Sequence, residues 1–285
     1  MDVRLRPPTP EDTPVLGDIC YRAFKTVAEA HGFPPDVPSA EVGGLIVGSL
    51  IDHPRVFGVA AAVNGRVVGS NFLDERNPIS GIGPITVDPD VQNDGAGRVL
   101  MDAVLARSAE RGFPGVRLVQ AGYHSRSLAL YLKLGFEARE QLACLQGPAI
   151  GRVPPGYVVR AATADDITAC NTLCRQVHGH DRGGELADAV ASGAARVAER
   201  AGRIVGYATG IAFFSHAVAE TNDDLAALIA AADGFGGPGF LAPTRNGELI
   251  RWCLAQGLKI TQTMTLMSIG LYNEPAGAWL PSVTY

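Results

Sequence analysis

Ile85-Thr86-Val87-Asp88-Pro89-Asp90-Val91-Gln92-Asn93-Asp94-Gly95-Ala96-Gly97-Arg98-Val99-Leu100-Met101 carries three signals in succession. Alternation up to Asp88 predicts a strand, stopped by Pro89, which has no ladder donor. A polar loop with two glycines follows, then a helix with apolar residues at 99, 100, 103 and 104. Glycines at a helix mouth let the backbone approach an anion closely. The unpaired N–H groups of the first turn, together with the helix dipole, then favour phosphate. Gly-x-Gly alone is a weak signal, since many helix entries carry glycines. The loop is not the dinucleotide fingerprint, which needs a third glycine, nor a P-loop, which needs Gly-Lys-Ser/Thr.

Working outward, the pattern predicts a strand at 3–8, helices at about 12–31 and 39–52, and a hairpin at 56–73. A strand at 82–88 and a helix at 94–111 follow, then a strand at 116–121, a helix at 125–134 and a strand from 136. The chain then repeats itself. Leu5-Arg6-Pro7-Pro8-Thr9-Pro10-Glu11-Asp12 recurs as Val159-Arg160-Ala161-Ala162-Thr163-Ala164-Asp165-Asp166, in each case a strand, a Thr N-cap and an acidic first turn. The hairpin turn Asn64-Gly65 recurs at Ala201-Gly202. Leu130-Tyr131-Leu132-Lys133-Leu134-Gly135-Phe136 matches Trp252-Cys253-Leu254-Ala255-Gln256-Gly257-Leu258, a helix end with Gly at C′. The class is therefore α/β, with two related domains in tandem, each a mixed, mostly antiparallel sheet flanked by helices. Their expected spans are 1–150 and 151–285, divided at the Pro- and Gly-rich segment 151–156.

Composition sets outer bounds. With 285 residues, 47% hydrophobic and 19% charged, the chain supports a sizeable core and is not disordered. No apolar run approaches the roughly 18 residues of a membrane span, and the first residues carry no secretory pattern, so the expected address is the cytoplasm. A net charge of -5 with no basic stripe argues against nucleic acid as a partner. Five scattered cysteines read as reduced thiols, without the paired spacing of a metal site.

Gln92-x-x-Gly95-x-Gly97, followed by Leu130-Tyr131-x-Lys133-x-Gly135-Phe136, resembles the GNAT superfamily of acyl-CoA-dependent N-acetyltransferases. The resemblance covers residues 3–147, and the repeat makes the whole chain similar to a tandem GNAT protein. It implies acetyl-CoA as cosubstrate, no metal, and a small-molecule amine as acceptor, with a monomer or a homodimer both open. Gln92, Asn93, Asp94, Gly95, Ala96, Gly97 and Arg98 would form the pyrophosphate arm. Val87 would offer its N–H to the thioester carbonyl oxygen, and Tyr131 would be the general acid for the departing thiolate. His124, Ser127 and Lys133 would complete the cofactor contacts. His124 and Ser127 are departures, standing where the family often has Asn and Ala.

The general base is not identified. Asp74 and Glu75 are candidates for it and His53 for a substrate contact, and solvated turn residues are the simpler reading of each. In the second copy, the stretch from His216 to Leu228 has no glycine between strand and helix, places Asp223 and Asp224 where a diphosphate would lie, and sets Cys253 opposite Tyr131. This copy is expected to be structural, or to wall the acceptor pocket of the first. Met264–Gly270 reads as a final strand. In the tail after it, Trp279 and Tyr285 insert between the lobes or pack on the outside of their own lobe. Three functions stay open: an N-acetyltransferase, a non-catalytic acyl-CoA-binding or regulatory protein, and a related fold using acyl-CoA for decarboxylation or hydrolysis.

Overall fold

The computed structural model describes residues 3–92 and 95–285, so Asn93 and Asp94 lie outside the described residues. The first half runs β1 (Val3–Arg6), α1 (Thr13–Ala30), α2 (Ala40–Asp52), β2 (Val56–Val63), β3 (Arg66–Asp74), β4 (Ser80–Ile82) and β5 (Thr86–Val87). It continues with α3 (Ala96–Glu110), β6 (Gly115–Ala121), α4 (Ser125–Lys133) and β7 (Glu137–Gln146). The second half runs β8 (Tyr157–Ala161), α5 (Ile167–His178), α6 (Gly183–Ala191), β9 (Arg196–Arg200), β10 (Arg203–Ala208) and β11 (Ala217–Ala219). Then come α7 (Asn222–Ala230), β12 (Phe240–Pro243), α8 (Gly247–Ala255), β13 (Lys259–Gly270) and β14 (Ala278–Leu280).

The repeated sequences build repeated local structures. Arg6 pairs with Asp12 at 2.6 Å and Arg160 with Asp166 at 2.7 Å, each Asp also closing a capping box with Thr9 or Thr163. Both hairpin turns carry two positive φ values in succession, 50° and 79° at Asn64-Gly65 and 52° and 73° at Ala201-Gly202. Phe136 N–H donates to the Tyr131 carbonyl at 3.0 Å, and Leu258 N–H to that of Cys253 at 3.2 Å, across glycines at φ 92° and 91°. These are the helix ends the sequence match predicts.

The sheets do not respect the sequence repeat. One holds nine strands, in the order β1-β2-β3-β4-β6-β13-β7-β12, with β5 also on β3. The other is β14-β11-β10-β9-β8. The coil at 151–156 separates the sequence copies, yet β12 and β13 from beyond it complete the first sheet. β13 pairs antiparallel with β6, from Met264↔Ala121 to Gly270↔Gly115, and with β7 on its other edge. The expectation of a final strand at Met264–Gly270 is corrected on two counts. That strand starts at Lys259, and β14 follows it.

One hydrophobic core spans both halves, joining Leu142 and Cys144 of β7 to Cys170 and Leu173 of α5 and to Trp279. Tyr285 ends in the seam. It is 4% exposed, with the guanidinium carbons of Arg117 and Arg182 at 4.2 and 4.4 Å from its ring centre. Asn77 receives the Gly184 N–H at 3.2 Å, tying the turn after β3 to the start of α6. The halves share a core and a sheet, so neither is complete without the other.

Candidate active site

β4 and β6 are parallel neighbours, but they pair only at Ser80↔Val116 and Gly81↔Arg117. Beyond that point the chain turns through Gly83 (φ 136°) and Pro84. β5 then stays on β3, through Gly69↔Val87 and Ser70↔Thr86, while β6 stays on β13. The predicted strand over 82–88 is thus two pieces, and two parallel strands part like the legs of a V. Gly69 allows the close approach of β5, since a Cβ there would lie 2.4 Å from the Thr86 carbonyl oxygen.

A cavity of about 540 Å³ occupies the V, within the range of small-molecule sites. Every described residue of the cofactor and general-acid set named from the sequence lines it: Val87, Gln92, Gly95, Ala96, Gly97, Arg98, His124, Ser127, Tyr131 and Lys133. Asn93 and Asp94 belong to the same loop but lie outside the described residues. Asp88 N–H donates to the Val68 carbonyl at 2.8 Å. Donors alternate along an antiparallel strand, so the N–H of Val87 points away from β3, toward the gap.

The mouth of α3 is open at its positive end. Gly95 is the N-cap, at φ 89°, and brings no side chain to the helix. The first intrahelical bond is Val99 N–H to the Gly95 carbonyl at 3.1 Å, so the N–H groups of Ala96, Gly97 and Arg98 have no helical acceptor. Gln92 braces the loop. Its amide donates to the Val87 carbonyl at 3.0 Å and accepts from Arg126 of α4. Asp88, fully buried, is held by Arg22 at 2.9 Å and by Arg66, and Arg22 keeps its carboxyl below the usual range.

Tyr131 is 6% exposed, edge-on to Phe136, and burial pushes its phenol up to about 12 against the pull of the Ser127 hydroxyl. Burial, with Arg126 and His31 nearby, drives His124 down to about 4, so it is neutral at pH 7. The candidate bases and His53 are not here. Asp74 binds Arg76 at 2.6 Å, Glu75 binds Arg107 at 2.7 Å, and His53 lies 3.2 Å from Asp188 of α6. None of the three lines the cavity.

Sequence reasoning missed part of the lining. Asp36, Gln120 and Tyr123 line it from the first half, and Phe213, Phe214 and Val283 from the second. The amide of Gln120 is buried with no partner at either end. A Gln among Val116, Leu118 and Val119 on a strand was the available signal for it. Asp36 and the two phenylalanines stand in loops and gave none.

The second half keeps a cavity of about 400 Å³ at the mouth of α7, lined by Thr221, Asn222, Asn246 and Trp279, but the chain's own side chains cap the helix there. β14 lies along β11, from Ala217↔Leu280 to Ala219↔Ala278. Thr221 caps α7 and Asp224 closes the capping box, its carboxylate taking the Thr221 hydroxyl at 2.6 Å and the Tyr157 hydroxyl at 2.9 Å. Asn222 and Asn246 bridge the two helix starts at 2.8 and 3.1 Å. Cys253, in the place of Tyr131, is a fully buried thiol raised to about 12 by burial.

Residues 25–136 match the acetyltransferase (GNAT) family. The match lies within the first lobe and spans less than half of the chain. A mycothiol acetyltransferase of Saccharomonospora viridis is 33% identical over 93 residues, which is 30% of this chain and 30% of that protein. A Pyrococcus horikoshii protein described as an acetyltransferase superposes with a TM-score of 0.74 at 18% identity, over 97% of this chain and 92% of the other. A tandem GNAT protein from the clavulanic acid biosynthesis pathway gives 0.57 at 14% identity, over 94% and 98%. At these identities the likeness of the solved structures is one of fold, and it extends through both lobes. Among the described residues, no group of three or more His, Cys, Asp or Glu side chains could hold a metal, and no helix is long and apolar enough to cross a membrane.

Proposed function

We propose that the GNAT lobe transfers an acetyl group from acetyl-CoA to a small primary amine by direct attack, with no covalent enzyme intermediate. The observation that carries this reading is the contrast between the lobes. In the first, an uncapped helix mouth, an outward strand N–H and a buried phenol share one cavity. In the second, the helix mouth is capped by Thr221 and Asp224, and a buried thiol, Cys253, stands in the place of the phenol. Acetyl-CoA supplies an activated acyl group, and the balanced change is RNH₃⁺ plus acetyl-CoA giving the N-acetyl amine, CoA thiol and one proton.

The N–H groups at residues 96–98 suit a diphosphate, and Arg98, Arg126 and Lys133 add positive charge at the rim. Gln120 offers both an amide donor and an acceptor to the amides of the pantetheine arm. Val87 N–H would stabilise charge developing on the thioester oxygen, a contribution of about 3–4 kcal/mol where one such donor has been removed from other enzymes. Tyr131 would return a proton to the departing sulfur. All five cysteines are free and buried, which suits a reducing, cytoplasmic setting.

Thiol release from acetyl-CoA, followed with a panel of primary amines, tests the reading. Amine-dependent release, with matching loss of amine, is the expected result. Tight CoA binding without turnover on any amine would favour a non-catalytic acyl-CoA-binding protein, and amine-independent release would favour hydrolysis.

A further inference from the structure

The cavity has a second arm on the side of α1, away from α3. Ile85 and Val87 pack with the α3 core, so Thr86 between them turns to the opposite face, where Cys20, Ala23 and Phe24 of α1 line the space. Thr86 is 3% exposed, and its hydroxyl has no partner. Asp36 lines the same cavity and takes one hydrogen bond, from the Gln262 amide at 2.6 Å. The carbonyl oxygen of that Gln262 is itself buried and unpartnered. Phe24, Val27, Val37, Phe213 and Phe214 supply most of the remaining wall.

Resting on the acyl-transfer reading, we propose that this arm selects a monocationic primary amine with an apolar body, its ammonium held by Asp36 and its body by Phe24, Val27, Phe213 and Phe214. Asp36 is the sole acid among the described residues of the lining. One carboxylate balances one ammonium, whereas the further charges of a polyamine or an aminosugar would be stranded against aromatic and aliphatic walls, at high cost. The unpartnered Thr86 hydroxyl, in the same lining, gives the ammonium a further acceptor. Burial raises the Asp36 carboxyl above its ordinary range, against the pull of the Gln262 amide, as expected of a carboxylate waiting for a cation. Asp36 is here a binding and positioning residue, and the reacting proton is not assigned to it.

Calorimetric titration with 2-phenylethylamine, its uncharged isostere 2-phenylethanol, and spermidine tests the proposal, each run with and without CoA. Wild type should bind 2-phenylethylamine more tightly than either of the others. Asp36→Asn, which keeps the shape of the side chain, should weaken the amine about 10- to 100-fold, as for a lost charged hydrogen bond. It should leave 2-phenylethanol and CoA unchanged. Phe214→Ala, at a side chain 43% exposed and so without a core defect, should weaken 2-phenylethylamine while sparing CoA. Equal amine affinity in wild type and Asp36→Asn, or tighter binding of spermidine, would overturn the proposal. Loss of CoA binding by wild type with the amine preferences intact would instead sink the acyl-transfer reading.

Discussion

Tyr131→Phe should lower turnover by about 10²–10⁴-fold, the usual weight of a positioned general acid, while acetyl-CoA affinity stays within about threefold of wild type. The ring is buried against Phe136, and Phe fills the same space, so the substitution removes the hydroxyl and little else. With its pKa at about 12, the phenol keeps its proton throughout the neutral range. An acid that weak is a poor donor to a thiolate in water, whose ordinary pKa is about 8.5. The departing sulfur, however, would sit in the same dry groove, where desolvation raises its basicity as well. Steady-state kinetics beside a CoA titration separates the two effects. Unchanged turnover would mean that water protonates the sulfur, and Tyr131 would revert to a core side chain with a polar tip.

Gly95→Val should abolish measurable CoA binding, with a rise in dissociation constant of about 100-fold or more. At φ 89° the residue lies where a β-branched side chain is strongly disfavoured. A Cβ there meets nothing within 4 Å, so the effect is conformational and not a clash. The left-handed position costs a non-glycine residue about 1–2 kcal/mol. The loop would relieve that strain by turning its N–H groups away from the diphosphate, losing bonds to charge of about 1.5–3 kcal/mol each. Gly97→Ala is the useful companion, because its Cβ would meet Val87 and Leu130 at ordinary distances of 3.8 and 4.0 Å. That variant should fold normally. Calorimetry with CoA and a thermal melt of each variant decide the matter, and unchanged affinity in Gly95→Val would remove the loop from the site.

How much of this was legible in the sequence depends on how local the code is. The threonine N-caps at 9 and 163 with their acidic first turns, the turns at 64–65 and 201–202, and the glycine helix ends at 135 and 257 are written in a few adjacent residues. Each was read correctly, because a Thr followed by acids marks a helix start, Asn and Gly favour positive φ, and Ala201 was placed by the repeat. The helix mouth at 95–98 is of the same kind. The partners of β13 are not. Its composition marks a strand, but strand pairing depends on what folds nearby, so its place between β6 and β7 was invisible. The break at Gly83-Pro84 was missed because apolar alternation runs on either side of it. Asp36 was missed because a lone acid in a Pro-rich loop looks like any solvated turn residue until α1 and Gln262 enclose it. Tyr285 had two readings open, and the stacked guanidinium groups of Arg117 and Arg182 place it in the seam.

The capped helix mouth of the second lobe bears on stoichiometry. β14 occupies the edge of β11, the Thr221 side chain takes the Asp224 N–H at the helix start, and the Asp223 and Asp224 carboxylates stand where a diphosphate would lie. The most direct test is therefore a calorimetric titration of the whole chain with CoA. Saturation at a single molecule per chain, lost in Gly95→Val, is the result expected of a lone working groove between β5 and β6. Two molecules per chain, or none, would contradict it.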